Sequence, residues 1–226
     1  AVLAAGNTVA VALFLPESLT AERRAEASRQ ASVWQLFSEP NGRAFGVVIA
    51  TYFFITVAFS LLTAIYPLFT ERRFGLGAAQ NVYIFATQGV IGAVIQGGLL
   101  GWLVRVWSDK TLTSIGTAIL TLSLFALPMS PGIGTLLLVT AGVAVGHSLV
   151  AAPLNALASR HVGPSAQGRV LGLMQSAASM ARVIGPVVGG WLLHYDALQL
   201  SGSFGRTPYW VGGGIMAVAW VLALVL

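Results

Sequence analysis

Long runs of apolar residues, separated by short polar segments, dominate the chain. Six runs are long enough for a transmembrane helix, which needs roughly 20 mainly apolar residues to cross about 30 Å of hydrocarbon. They lie at 44–69, 80–104, 111–128, 134–158, 168–193 and 208–226. Each run is continuously apolar and does not alternate as the strands of a membrane barrel would. The pattern predicts an all-α fold, a polytopic membrane bundle of six full transmembrane helices.

The N-terminal part of the chain differs from these runs. Residues 1–15 are apolar but too short to cross a bilayer, and we interpret them as the end of a truncated helix, with a re-entrant or interfacial stretch as the alternative. Residues 16–43 hold eight of the nineteen charged residues and are predicted to be a linker. Residues 44–226 then form the six-helix bundle. We therefore expect the sequence to be a fragment of a longer protein.

Composition favours a membrane protein. Hydrophobic residues make up 56% of the 226 residues and charged residues only 8%, whereas charged residues are about a quarter of a soluble domain. The sequence has no cysteine, which excludes a disulfide scaffold and a thiolate metal site within it. A net charge of +5 without a basic cluster indicates loops that face anionic lipid, and no nucleic-acid partner is expected.

Lysine and arginine are distributed unequally between alternate loops. Eight lie in the linker and in the loops near 105–110 and 159–169, and three lie in the loops on the opposite side. Because cytoplasmic loops carry the excess of positive charge, the linker and the C-terminus are predicted to be cytoplasmic. The protein is expected to be an integral, multi-pass protein of the plasma (cell inner) membrane.

Polar side chains inside the predicted spans fall on one face of each of several helices. At 100° per residue, the first full span presents a series of hydroxyl groups that ends at Tyr66, and later spans add glutamine, histidine and arginine. Polar groups are costly in hydrocarbon, so such residues usually face a bundle interior or a wet cavity. The predicted substrate-cavity residues are Tyr52, Thr56, Ser60, Thr63, Gln88, His147, Gln175 and Arg182.

Each of these residues also has a structural interpretation. Serine and threonine hydroxyls often bond to the carbonyls of their own helix. His147 can instead make an interhelical hydrogen bond, and Arg182, roughly 21 Å past the start of its span, can extend toward the membrane interface. No Asp or Glu falls inside a predicted span, so if the protein is coupled to protons, most of the proton relay is expected outside this sequence.

Small residues recur at a spacing of four, which lets helix backbones approach closely. The pairs are Gly97/Gly101, Gly142/Gly146, Gly168/Gly172 and Gly185/Gly189. Pro153 and Pro186 remove backbone donors inside predicted spans and favour kinks there.

Signals of enzyme chemistry are missing from the sequence. The GHSLV stretch at 146–150 lacks the arrangement of a serine nucleophile, and His147, His161 and His194 have no metal-ligand spacing. No glycine-rich, phosphate-binding loop with lysine is present. We expect no enzyme, no catalytic residue, no metal site and no cofactor.

Three short segments resemble a known transporter family. FLPESL at 14–19 closes an apolar run before the charged linker, and QGGLLGWLVRVWSDK at 96–110 resembles the second-half loop motif of the major facilitator superfamily. In that motif Gly101, Arg105, Asp109 and Lys110 match, and Ser108 stands where glycine is usual. GPSAQGRVLGLMQSAASMARVIGPVVGG at 163–190 is similar to the eleventh helix of the tetracycline and multidrug-resistance group of drug:proton antiporters.

The resemblance implies a C-terminal half of such a transporter. Residues 1–15 would end the last helix of a missing N-terminal six-helix bundle, and 16–43 would be the cytoplasmic central linker. It implies alternating access, a small-molecule substrate, protons as the coupling ion, and efflux of drugs or other small amphipathic molecules. It also implies loop-motif and helix-packing roles, which fall to Gly101, Arg105, Asp109, Lys110, Pro153, Gly185, Pro186 and Gly189.

Two alternatives stay open. One keeps the fold and changes the cargo to a metabolite such as a sugar or an organic anion, in which case Arg182 would pair with an anionic substrate. The other is a membrane interaction module without transport activity.

Overall fold

A computed structural model describes residues 2–14, 42–160, 167–198 and 204–226, and the regular elements in these ranges are all helical. The α-helices are α1 Val2–Phe14, α2 Gly42–Phe74, α3 Ala78–Val94, α4 Leu100–Val106, α5 Asp109–Ala126, α6 Ile133–Arg160, α7 Gln167–Leu198 and α8 Arg206–Val225. A π-helical turn, Ile95–Leu99, joins α3 to α4, and a 3-10 turn, Leu127–Met129, follows α5.

Six helical segments of the described chain are long and apolar enough to cross a membrane, which confirms the six predicted spans. The predicted spans end too early, because a helix continues into the polar layer as long as its backbone hydrogen bonds are satisfied. α2 includes the charged residues Glu71 to Arg73, and α7 continues to Leu198. Glu71, Asp109 and Asp196 therefore lie in the terminal turns of helices and not in loops.

The chain divides into two compact units, Ala1–Gln35 and Leu36–Leu226. The described part of the first unit is the 13-residue helix α1, where a truncated helix was predicted. The predicted linker at 16–43 lies outside the described residues, except for Gly42 and Arg43, which begin α2.

In the second unit α2 occupies a central position. It packs most extensively on α7 and also on α8, while α5 packs on α6 and α8, and α3 contacts mainly α6. The apolar core includes Leu61, Ile65, Phe69, Leu120 and Leu136, all at most 2% exposed. Large apolar side chains on the outer faces of the helices remain exposed, as is usual where lipid or another helix covers them.

The contact between α2 and α7 is especially close. A Cβ atom at Gly185 would overlap Ser60 Oγ and lie 2.8 Å from the backbone N of Leu61, and one at Gly189 would lie 3.0 Å from a side-chain carbon of Leu61. Ser60 also donates a hydrogen bond to Ala181 O across this contact, at 3.1 Å. Only a residue without a side chain permits this separation of the two helices.

Glycines also mark the contact between α5 and α6. A Cβ at Gly146 would lie 2.8 Å from Gly116 O, and one at Gly142 would lie 2.8 Å from Ser123 Oγ. The other two glycine pairs named from the sequence differ. No described atom lies within 4 Å of a Cβ placed at Gly97, Gly101, Gly168 or Gly172, so those pairs form no close helix contact in the described chain.

Polar contacts tie the helices together where α2 and α7 end. Arg73 donates to the carbonyls of Pro128 and Ser130, which joins α2 to the segment after α5. The buried carboxylate of Asp196 accepts a hydrogen bond of 3.0 Å from the backbone N of Thr207, so it satisfies a donor in the first turn of α8. These hydrogen bonds join the helices at their termini and do not involve the middle of the helices.

We predict that Gly185→Ala destabilises the protein by about 1–3 kcal/mol, because α2 and α7 must separate to admit the methyl group. Thermal unfolding of the purified protein in detergent measures the effect. Gly214→Ala on α8 is the matched control, since a Cβ there meets no described atom within 4 Å. The control should leave the unfolding temperature unchanged or raise it slightly. Equal unfolding temperatures for the two variants would contradict the close contact.

Candidate functional site

A cavity of about 370 Å³ lies between α2, α6 and α7, near the middle of each helix. We call it the first cavity. Its volume falls within the range of about 300–1,000 Å³ that is typical of small-molecule sites. The sequence-predicted residues that line it are Tyr52, Thr56, Ser60, Thr63, His147 and Arg182.

A second cavity of about 370 Å³ lies beside the first, between α3, α6 and α2. Gln88, another residue predicted from the sequence, lines it together with Gln96 and Ser148. Gln96 belongs to the π-helical turn between α3 and α4. Such turns are rare and often occur at functional sites, and this one interrupts a helix that the sequence predicted to be regular.

An aromatic pair stands between the two cavities. The rings of Phe59 and His147 are stacked with centroids 4.1 Å apart and planes 21° apart, and both residues line both cavities. Phe59 was not predicted, because an apolar residue in an apolar run attracts no notice. Its position three residues after Thr56 and four before Thr63 places it on the same helix face and could have identified it.

His147 does not make the interhelical hydrogen bond considered from its sequence position. The structure gives its imidazole a ring contact with Phe59 and no hydrogen bond to a residue in the described ranges. The side chain is half-buried in the middle of α6. Its nitrogen atoms are therefore available to a ligand.

The serine and threonine hydroxyls of the first cavity already donate hydrogen bonds within the protein. Thr56 donates to Tyr52 O at 2.7 Å and Thr63 donates to Phe59 O at 3.1 Å. These two hydroxyls therefore bond to carbonyls of their own helix, as the structural interpretation of the sequence predicts. Ser60 donates across to α7. A ligand in the cavity would find these oxygens as acceptors.

Arg182 behaves differently from the hydroxyl residues. It is the residue after Ala181, whose carbonyl binds Ser60, so the contact between α2 and α7 fixes the place where its side chain begins. Arg182 lines the first cavity and is exposed in the described chain, and no hydrogen bond or ion pair joins its side chain to a residue that the structure describes. Both interpretations of Arg182, as a cavity cation and as a side chain that extends toward the membrane interface, therefore stay predictions.

Two residues of the predicted polar faces lie elsewhere. Gln175 is exposed on α7 and lines neither cavity. Tyr66 is fully buried, with its hydroxyl 2.9 Å from Thr140 Oγ1, so this pair joins α2 to α6 inside the core. A helical face read at 100° per residue cannot distinguish a cavity from a neighbouring helix, which explains both differences.

The loop-motif residues lie at the other end of the bundle from Arg73. Asp109 is 6% exposed and forms a 2.8 Å ion pair with Arg160 at the end of α6. Ser108 caps α5, accepting a hydrogen bond of 3.2 Å from Thr111 N, a role that serine fills well where glycine would offer no side chain. The motif's remaining residues, Gly101, Arg105 and Lys110, are exposed.

The two prolines named from the sequence lie inside helices, Pro153 buried in α6 and Pro186 exposed in α7. Pro153 lies two residues after Ala151, which lines the first cavity. A proline in a helix removes one backbone hydrogen bond and so weakens the helix locally.

Comparison with known proteins places the chain in one family. The family model described as Major Facilitator Superfamily matches residues 1–186 and 97–226. Multidrug resistance protein 2 of Bacillus subtilis (strain 168) is 26% identical over 191 residues, which are 81% of this chain and 48% of that protein. Tetracycline resistance protein, class H, of Pasteurella multocida is 25% identical over 168 residues, 74% of this chain and 40% of that protein. The chain thus spans about half the length of these relatives or less.

The fold also matches a solved structure. The crystal structure of the human organic anion transporter MFSD10 (TETRAN) aligns with a TM-score of 0.71 at 19% sequence identity. The alignment covers 89% of this chain and 45% of that one. At this identity the match shows a shared fold.

We predict that a thiol in the first cavity is accessible to small reagents whereas a thiol in the core is not. The chain has no cysteine, so each introduced thiol is the only one within it. Ala151→Cys lines the cavity, and Ala58→Cys on α2, where the native side chain is 0% exposed, is the matched control. N-ethylmaleimide should modify the first variant much faster, as measured by mass spectrometry of the intact protein. Equal rates would contradict an open cavity at this position.

Proposed function

Because the chain belongs to the major facilitator superfamily, we propose that it is the C-terminal part of a secondary active transporter. The first cavity carries the proposal. It combines hydroxyl, imidazole and guanidinium groups at the middle of membrane-length helices, where polar groups are costly unless they serve a substrate or a partner.

The proposed mechanism is alternating access. A six-helix bundle formed by 44–226 rocks against a second bundle contributed by the rest of the protein, and a site near the bilayer midplane opens to each side in turn. The cytoplasmic linker at 16–43 connects the two bundles. The excess of basic residues in alternate loops supports placing the linker and the C-terminus in the cytoplasm of the plasma membrane.

We propose that the substrates are drugs or other small amphipathic molecules and that transport is outward. The relatives named for multidrug and tetracycline resistance support this cargo. The lining supports it as well, because the aromatic pair Phe59–His147 and the aliphatic Ile55 and Val150 offer apolar surface beside the polar groups. In this proposal Tyr52, Thr56, Ser60, Thr63, Gln88, His147 and Arg182 contact substrate, and Gln175 does not.

Protons are the proposed coupling ion. Among the described residues no carboxylate lines either cavity, so we assign the main proton relay to the remainder of the protein. We propose that His147 responds to the relay, because an imidazole can bind and release a proton and this residue lines both cavities.

Efflux from cells that produce the full-length protein tests the proposal. Fluorescent substrate should leave energised cells, and a protonophore should stop its extrusion. His147→Ala should lower the efflux rate by about tenfold or more, because it removes a hydrogen-bonding group and the stack with Phe59. The measurement is the initial rate of fluorescence loss at equal protein abundance in the membrane.

His194→Ala is the matched control, since His194 is exposed near the end of α7 and lines neither cavity. It should transport at the wild-type rate. If His147→Ala leaves transport unaffected, the proposed site is wrong. If efflux persists after the proton gradient collapses, the proposed proton coupling is wrong.

A further inference from the structure

We infer that the substrate is an organic anion rich in hydrogen-bond acceptors, with its charged group at Arg182 and an uncharged polar end in the second cavity. The inference rests on the proposed transport function and narrows its substrate class. It comes from an inventory of which polar groups in the two cavities already have partners.

The first cavity is lined by two residues whose hydrogen-bond donors are unused in the described chain. The hydroxyl protons of Thr56, Ser60 and Thr63 are engaged with backbone carbonyls. Arg182 and Tyr52 also line the cavity, and neither the guanidinium nor the phenol hydroxyl has a hydrogen-bond partner among the residues described. Guanidinium donates through five N–H groups and accepts nothing, so a ligand that satisfies it must supply acceptors.

The charge of Arg182 strengthens this requirement. A cation near the middle of a membrane helix is expensive unless an anion neutralises it, and a planar carboxylate, sulfonate or phosphate can bind a guanidinium through two parallel hydrogen bonds. The cavity wall around it is mainly apolar, with Ile55, Phe59 and Val150 among its residues. A low-polarity wall makes the attraction between guanidinium and anion stronger than it would be in water.

The second cavity has a donor of its own. Gln88 Nε2 is buried and has no hydrogen-bond partner, while Ser148 Oγ donates to Ala144 O at 2.8 Å. An unpaired buried amide proton is unfavourable, and a carbonyl or ether oxygen of a ligand would satisfy it. The amide is uncharged, so this cavity favours a neutral acceptor.

The aromatic pair connects the two sets of donors. Phe59 and His147 are shared by both cavities, so one ligand that contacts both would pass beside this stack. Aromatic faces favour a flat, apolar linker between the two ends of a ligand. The site therefore suits an aromatic molecule with an acidic group at one end and a carbonyl-type oxygen at the other.

Two dyes with the same ring system and opposite charge test the inference. Fluorescein, used at mildly acidic pH where its monoanion predominates, has one carboxylate and uncharged distal ring oxygens, and rhodamine 6G is a cationic xanthene of similar shape. Purified full-length protein should bind fluorescein, measured by fluorescence anisotropy, and should transport it in proteoliposomes. Arg182→Gln should raise the Kd for fluorescein by about tenfold or more and leave the Kd for rhodamine 6G unchanged or lower it.

Further variants separate charge from geometry. Arg182→Lys should retain part of the fluorescein affinity, because the charge remains and the two-point contact is lost. Gln88→Leu should weaken fluorescein binding severalfold. Arg43→Gln, an exposed arginine at the start of α2, is the matched control for loss of one positive charge and should bind as the wild type does.

The outcomes distinguish the inference from the proposed function. Fluorescein binding that depends on Arg182 supports the inference, whether or not the dye is transported. If the dye binds in this way but is not transported, the transport function is overturned and the inference is not. Preferential binding of rhodamine 6G, or fluorescein binding unaffected by Arg182→Gln, overturns the inference and leaves transport standing. A lower unfolding temperature for Arg182→Gln without a change in dye preference would mean that a carboxylate elsewhere in the protein is the partner, which also overturns it.

Discussion

The close contact between α2 and α7 is the constraint on which the candidate site depends. Gly185 lets the two backbones meet at Ser60, and the hydrogen bond from Ser60 to Ala181 O fixes their register. Arg182 follows Ala181 directly, so this register also sets where the cation enters the first cavity. Gly189 continues the contact toward Leu61, where the apolar core takes over. A cavity near the middle of the bundle thus exists beside a contact that leaves no room for a methyl group.

The fold could be predicted almost entirely from the sequence, because the bilayer restricts the possibilities. A chain in hydrocarbon must satisfy its backbone internally, so continuous apolar runs become helices. Helix ends were the inaccurate part. Hydropathy marks where the apolar run stops, but α7 continues past it to carry Asp196, whose carboxylate binds the first turn of α8. Similarly, nothing in the pattern around Gln96 distinguishes a π-helical turn from a regular helix.

The candidate site was predictable in part. Helical periodicity selects residues that share a face, and the structure places four of them, Tyr52, Thr56, Ser60 and Thr63, around one cavity. Periodicity does not say what covers that face, so it also included Tyr66, which bonds to Thr140 in the core. It passed over Phe59 because it scores polarity, whereas the Phe59–His147 stack is the feature that both cavities share. Which hydroxyl groups donate within the protein, and which donors remain without a partner, can be determined only from coordinates.

A structure of the complete protein with a transported anion bound would test the central claim most directly. The account predicts ligand density between α2, α6 and α7, with the acidic group against the guanidinium of Arg182 and the ring system beside Phe59 and His147. Density for the anion at another place would contradict the account. In that case side chains would fill the first cavity, or a carboxylate of the protein would pair with Arg182.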